Sequence, residues 1–552
     1  MADEQAHLTV VPDAEPEPSR APPVLDEAHI GDIKGALGTL SLDDTGARSS
    51  WRGRLLALLA IMGPGLIVMV GDNDAGGVAT YAEAGQNYGT SLLWVLILLI
   101  PVLVVNQEMV VRLGAVTGVG HGRLILERFG RFWGAFSIVD LFLLNFLTIV
   151  TEFIGVDLAL GYLGVSRYVS VPLAALALVG MTLTGSFRKW ERAMFVFVAG
   201  NFLAIPLAIE SHPHAGVVAH NFVVPGVAGG VNSTSILLIV AIVGTTVAPW
   251  QLFFQQSNIV DKRITTRWIN YERVDTIIGS FVVVVGATLI MAAAAAAFAH
   301  TGLHGHFTDA RGVAVGLRHT VGRVAGILFA LVLLNASIIG AGAVTLATSY
   351  AFGDVFGLHH SLHRPPREAK LFYAIFASIV AAAAGIVLIP GAPLGLMTVA
   401  VQALAGVLLP SASVFLLLLC NDRAVLGPWV NRPWLNAVAT VILAILFMLS
   451  GILMVTTVFP SVNVTRLLIV LSAAIGAGCI ALAGVALRGR RGRPPAPAET
   501  MRRETWTMPP LALLGRPTWS RARVVAMSLM WGYLFIAVVL LAVKAGRLAT
   551  GG

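Results

Sequence analysis

The chain has 552 residues, 57% of them hydrophobic and 12% charged, with a formal net charge of +8. Soluble domains carry about 25% charged residues, so a soluble enzyme, with or without one anchor, is excluded. Apolar runs of roughly 18 or more recur, each long enough to cross about 30 Å of hydrocarbon, and the basic residues gather in the short loops between them. That is the positive-inside signature of a polytopic membrane protein and not a nucleic-acid footprint.

Residues 1–50 hold ten acidic residues against three basic and several prolines. Such a stretch buries too little apolar area to offset ordering entropy, so a disordered acidic tail is expected, with at most a short helix at His29–Leu40. It lacks the charged start and apolar core of a signal peptide. Spans are expected near 54–86, 91–113, 134–163, 168–184, 191–209, 233–258, 275–300, 322–352, 371–389, 394–420, 434–457, 464–487 and 523–545. With the tail inside, the cytoplasmic loops hold Arg123, Arg128, Arg131, Arg188, Lys189, Arg192, Lys262, Arg263, Arg267, Arg364, Arg367, Lys370, Arg423 and Arg432. The segment Arg488–Trp506 is the strongest basic block and serves orientation, with lipid headgroups as a further contact. Cys420 and Cys479 both lie in apolar runs and read as small buried hydrophobes, with no disulfide framework.

Two spans are interrupted. The first breaks at Asp74-Ala75-Gly76-Gly77 and the sixth around Ala248-Pro249. Proline removes a backbone donor, and paired glycines remove the side-chain bias toward helix. In hydrocarbon each freed backbone group needs a partner, so broken helix survives where it lines a cavity or binds something. The breaks open the two halves of a 5+5 arrangement, the pattern of secondary transporters with inverted repeats and a midplane site. The expected fold is therefore an all-α, LeuT-like inverted repeat with two or three extra C-terminal spans. Its units are the tail (1–50), a first five-span repeat (51–210), an external loop (211–232) and a second repeat (233–420). Two further spans (421–487), a basic cytoplasmic loop (488–522) and a last span with the C-terminus (523–552) complete it.

Asp74 sits at the first break, and a carboxylate at mid-membrane is a functional candidate by default. With carbonyls beside it, it makes a hard, oxygen-rich negative site that suits a cation. An anion would instead want helix N-termini without a carboxylate. Pairing with a basic residue is the structural alternative, but no Lys or Arg lies near that depth in spans one to three.

The segment Gly63–Gly89 resembles the first span of the Nramp divalent-metal transporters. Arg112–Gly118, Val150–Gly155, Phe187–Arg192, Val401–Pro410 and Asn421–Asn436 are similar to further segments of that family, in order, over about residues 54–457. The resemblance places Asp74 at the family's metal-binding aspartate and Gln402 at its tenth-span glutamine. It also marks departures. Ala75 replaces the proline and Gly77 the asparagine of the first break. In the sixth span Ala248 stands where the family has its methionine, and Trp250 where it has a histidine linked to proton movement. The third-span aspartate of the proton route falls at Ile149, while Glu152 keeps the glutamate. A thioether favours transition metals over magnesium. Its loss leaves one carboxylate, carbonyls near Ala75 and Thr245, the Thr245 hydroxyl and the Gln402 amide, with room left by Gly77 and Ala248. The pattern resembles the family's divergent branch, the Nramp-related magnesium transporters. That branch implies transport of magnesium, with manganese also accepted, and no proton coupling.

Asp72, Glu83, Glu152, Trp250 and Gln251 are assigned to the ion pathway or cavity. Asp72 lies about 200° round an ideal helix from Asp74. Glu83 either lines the access path or reaches the interface. Glu152 is a remnant of the proton route, a vestibule charge or an ion-pair partner. Glu108 and Asp157 are further carboxylates within spans. His212, His214, His220, His300, His304 and His306 fall in loops placed outside, as metal collectors or simply solvated. No nucleotide-binding motif or hydrolase motif appears, so neither enzyme activity nor an ATPase partner is implied.

The expected function is inner-membrane uptake of magnesium, and manganese, by alternating access. The expected partners are the metal ion and the bilayer, with no nucleic acid and no cofactor beyond the transported ion. A proton-coupled manganese or iron importer and an organic-solute transporter on the same scaffold are the alternatives.

Overall fold

The computed structural model describes residues 27–44, 46, 48–390, 394–459, 462–490, 503, 506, 508–515 and 521–549. Residues 1–26 of the expected tail, and much of the basic segment, lie outside the described residues. The chain runs from a short hairpin, β1 (Ile33–Lys34) and β2 (Thr39–Leu40), into α1 (Trp51–Ile61), α2 (Pro64–Gly71) and α3 (Ala75–Tyr88). Then come α4 (Leu93–Thr117), α5 (His121–Phe129), α6 (Arg131–Tyr162), α7 (Arg167–Thr182), α8 (Phe187–Gly200), α9 (Ala204–Ser211) and α10 (Ala215–Val223). The second half holds α11 (Ser233–Thr246), α12 (Pro249–Asp261), α13 (Ile269–Phe298), α14 (Ala310–Thr320), α15 (Arg323–Phe356), α16 (Lys370–Val387) and α17 (Leu394–Leu419). It is followed by α18 (Arg423–Leu426), α19 (Pro433–Val458), α20 (Val464–Arg490) and α21 (Arg521–Ala549).

Among the described residues, nine helices are long and apolar enough to cross a membrane, and the bent pair α1–α2 makes a tenth. All thirteen expected spans coincide with helix, but Arg167–Thr182, Val464–Gly478 and Arg523–Ile536 are shorter apolar stretches. The sixth span, Ser233–Asp261, is the centre of the bundle: 94% of its apolar window is buried, against 39% for Pro433–Val458. A capping box sets its start, with Asn232 accepting from the Ser235 amide and Ser235 Oγ accepting from the Asn232 amide, both at 2.9 Å. The two reciprocal bonds satisfy donors that a helix start leaves orphaned.

Between α1 and α2 the first span bends by 52°. Buried side chains satisfy the backbone groups the bend releases. Asp275 Oδ2 on α13 accepts from Gly63, Gly65 and Leu66 amides at 3.0, 2.8 and 3.2 Å. Lys262, at the end of α12, donates to the Ile61 and Met62 carbonyls at 2.7 and 2.8 Å and pairs with Glu191 of α8 at 2.6 Å. Gly63 has φ +154, and a Cβ there would strike Glu191. Only glycine fits both the backbone and the space.

Residues 27–50 were expected to belong to a disordered tail. The described part instead carries the hairpin and lies against this bend, with Leu40 and Ile33 in the core. The bundle end that holds it is called the tail side below. Nearby, in the connection after α15, buried His360 faces Asp354 at 3.1 Å. Burial alone would lower the imidazole's proton affinity. The Asp354 carboxylate, with the Leu358 carbonyl and Asp261, overrides that and pushes its pKa up to about 9. Two carboxylates within spans that the sequence singled out are paired: Glu108 with Arg112 at 3.1 Å and Arg273 at 2.6 Å, and Asp157 with Arg167 at 3.6 Å.

Removing Lys262 with Lys262→Met leaves Glu191 buried and uncompensated, and loss of one partner of such a pair costs about 3–5 kcal/mol. The unfolding transition in detergent should fall accordingly, and Glu191→Gln in the same chain should recover part of the loss. His360 has its folded pKa above its unfolded value near 6.5, so its contribution is fully present below that pH and is lost as pH rises through about 9. The melting-temperature gap between wild type and His360→Gln should therefore narrow across that window.

Candidate functional site

Helix α2 stops at Gly71, and Asp72 and Asn73 carry the chain across to Asp74, which is extended (φ −69, ψ −179) and caps α3. Its Oδ1 accepts from the Gly77 amide at 2.6 Å. The break therefore lies at Asp72–Asp74 and not at the glycine pair: Ala75, Gly76 and Gly77 already form the first turn of α3. These glycines serve close approach. A Cβ on Gly76 would overlap the Gln402 amide, and one on Gly77 would lie 2.7 Å from the Asp72 carbonyl and 3.0 Å from Thr245 Oγ1. The sixth span breaks where expected, at Val247–Ala248, with Pro249 as the first residue of α12. Proline is tolerated there because that N–H has no intrahelical partner in any case.

The two breaks meet at Asp74. Thr245 Oγ1 stands 3.4 Å from Asp74 Oδ1, and Gln402 of α17 lies against Gly76, so Asp74, Ala75, Gly77, Thr245 and Gln402 come together. Ala248 is buried at the second break. From α6, Glu152 Oε2 accepts from the Ala75 amide at 3.1 Å. Room for two neighbouring carboxylates comes from Gly340 on α15, where a Cβ would sit 2.7 Å from Glu152 Oε2 and 2.9 Å from Asp74 Cβ. Gly155, one turn on from Glu152, allows Ala75 and Ser337 to approach in the same way. Neither glycine was singled out from sequence, because the partners that need the space come from distant spans.

Asp72 is fully buried and occupies the other flank of the break. Gln251 faces it. Gln251 donates to the Thr246 carbonyl at 3.1 Å and accepts from Gln107 at 3.0 Å, and Tyr81 OH meets Thr246 Oγ1 at 2.8 Å. Trp250 is a wall of this region, with its ring 3.2 Å from where a Gly71 Cβ would lie and edge-on to Phe254. Glu83 sits farther along α3, half-buried and outside the meeting of the breaks. The six loop histidines singled out from sequence are all exposed or partly so, and among the described residues no group of three His, Cys, Asp or Glu could hold a metal.

Several buried atoms here lack a hydrogen-bond partner: both Asp72 carboxylate oxygens, Glu152 Oε1 and Gln402 Nε2. Buried polar groups are normally satisfied, so this cluster has spare coordinating capacity. The Gln402 amide can present oxygen as readily as nitrogen by a flip. On the side away from the tail, a cleft lined by Ala75, Ala79, Thr151, Asp309, Ala310 and Thr398 reaches the first turn of α3. Asp309 and Thr398 were not singled out from sequence. Asp309 reads there as an ordinary helix cap, and it does accept from the Gly312 amide at 2.7 Å.

Gly76→Ala should push Gln402 out of place and cost about 1–3 kcal/mol, the usual price of overpacking. In a Gln402→Ala background the same change should cost much less, and thermal melts of the four proteins form the cycle that checks this.

The described architecture matches that of a solved manganese transporter from Eremococcus coleocola, with a TM-score of 0.60, 21% identity, and coverage of 81% of this chain and 97% of that one. In sequence, the chain is 31% identical over 406 residues to a divalent metal cation transporter MntH of Ralstonia nicotianae, covering 70% of this chain and 89% of the relative. It is 26% identical over 422 residues to the MntH of Aeromonas hydrophila, covering 72% and 96%. Residues 65–456 match the family described as natural resistance-associated macrophage protein-like, a match that takes in both helix breaks, Glu152 and Gln402. The chain belongs to the Nramp family.

Proposed function

We propose that this Nramp protein carries divalent metal ions across the plasma membrane by alternating access, that magnesium is its principal ion with manganese also accepted, and that protons are not obligatorily coupled. The divalent class is supported by the relatives, which are named divalent metal cation transporters, and by a neighbour named a manganese transporter. The observation that carries the magnesium reading is the donor set. Asp74 is flanked by Thr245 and Gln402, and Ala248 supplies no thioether at the second break. Hard oxygen donors around one carboxylate suit an ion that keeps several waters, as magnesium does. Soft sulfur would favour a transition metal.

The tail side is assigned to the cytoplasm on the distribution of basic loops. A divalent ion then moves inward down a potential worth about 2.3 kcal/mol per charge per 100 mV, roughly doubled for two charges. That drive suffices without protons. A second reading, proton-coupled manganese or iron import, draws on Glu152, whose carboxylate neighbours Asp74 across Gly340. Two adjacent buried carboxylates repel when both are charged, and a shared proton relieves this.

Flux into proteoliposomes separates the readings. Magnesium uptake without lumenal acidification is the expected result, and manganese uptake that acidifies the lumen with no magnesium uptake would refute the proposal. Asp74→Ala should abolish uptake of either ion, and calorimetry with magnesium, manganese and calcium should lose its binding signal in that variant.

A further inference from the structure

We propose that the described residues of the tail from Ala28 to Asp44, with Gly46, form a latch that holds the first half of the first span shut on the tail side, so that releasing this segment shifts the protein toward a tail-side-open state. The hairpin lies where the bend between α1 and α2 meets the ends of α8 and α12. The Ala36 amide donates to Glu191, the same carboxylate that pairs with Lys262. Lys262 in turn grips the Ile61 and Met62 carbonyls at the end of α1. One buried charge chain thus links the tail, α8, α12 and the bend.

The fit is close on both sides. A Cβ on Gly35 would strike the Ala60 carbonyl of α1 and come within 3.2 Å of Lys262 Nζ, and one on Gly38 would lie 2.9 Å from Ala60 Cβ. Glycine is what lets the tail backbone lie directly on α1. Three arginines then fasten the tail to other elements. Arg188 donates to the Gly35 and Gly38 carbonyls and to Thr39, and Arg192 to the Ala36 carbonyl at 3.0 Å. Arg263 donates to the Ala28 carbonyl through two nitrogens at 3.0 and 2.8 Å, and to the Asp32 carbonyl at 3.2 Å.

Arg263 does so from a left-handed backbone, φ +67, which a residue with a side chain adopts at a cost. Opposite it, Gly31 has φ +137, and a Cβ there would meet the Arg263 guanidinium at 2.8 Å. His29 packs against His360, and Arg267 holds the Gly46 carbonyl at 2.9 Å. The segment therefore bridges α1 to elements on three sides. Outward movement of α1 would break the contacts of Gly35 and Gly38 with Ala60 and the Lys262 grip together. A tail docked this way stabilises only the arrangement in which α1 is in place, and a group that binds one state shifts the equilibrium by its differential affinity.

The test uses full-length protein in detergent, in metal-free buffer, so that it is independent of which ion is carried. Cys420 and Cys479 are replaced by alanine, and Ser280→Cys places a thiol on α13. Ser280 is fully buried, with its hydroxyl 3.8 Å from Met69 Sδ of α2, so the thiol is reached only when the first span leaves α13. Removal of residues 2–46 should speed its labelling by a soluble maleimide at least about tenfold, the shift that the net loss of even one hydrogen bond to a charged group produces. Ala36→Pro in the full chain, which removes the amide given to Glu191, should speed it in the same direction, and this variant decides the matter if the truncated protein does not fold. Unchanged or slower labelling in a folded variant that lacks the docked tail would overturn the latch.

Discussion

Everything in this protein follows from one constraint: a helix broken inside hydrocarbon must find partners for the backbone groups it releases. Side chains meet the breaks. Asp275 takes three amides at the bend of the first span, and Lys262 takes two carbonyls from the turn before it. Asp74 takes the Gly77 amide, Glu152 the Ala75 amide, and Gln251 the Thr246 carbonyl. Each of these is a charged or amide group that would be costly in the same place without its task.

The same capping groups form the candidate site, where part of their valence is not used up. Asp74 has a capping bond, but Asp72, Glu152 and Gln402 retain buried atoms with no protein partner. A site assembled this way gathers the carboxylates of Asp74, Asp72 and Glu152 with hydroxyl and amide groups. It lacks a preformed cage of several His, Cys, Asp or Glu among the described residues. Gly76, Gly77 and Gly340 let neighbouring helices reach the break with no side chain between.

The bend near Met62–Pro64 ties this site to the tail side. Glu191, Lys262 and Asp275 lie on three helices and converge on one turn of the first span, so its position depends on all of them. A buried ion pair of this kind is weak as a source of stability but effective in selecting one arrangement over another. The docked hairpin adds its own contacts at this convergence.

The sequence alone was enough to read an all-helical membrane chain with two interrupted spans and to place Asp74 beside the first interruption. Hydropathy, proline and an intramembrane carboxylate are local signals that need no partner to be read. The segment Val401–Pro410 placed Gln402 by likeness, since nothing local distinguishes a glutamine that serves a site. Tertiary structure decided the rest. Gly76 and Gly77 were read as loosening the helix, yet they sit inside α3 and are glycine because Gln402, Thr245 and the Asp72 carbonyl press against them. The acidic tail was read as disordered from its composition, which counts apolar area within the segment. The described residues 28–36 instead borrow their order from Arg188, Arg192, Glu191 and Arg263 of other elements. Local composition reports what a segment can satisfy by itself, and only the folded chain brings in the partners that come from elsewhere.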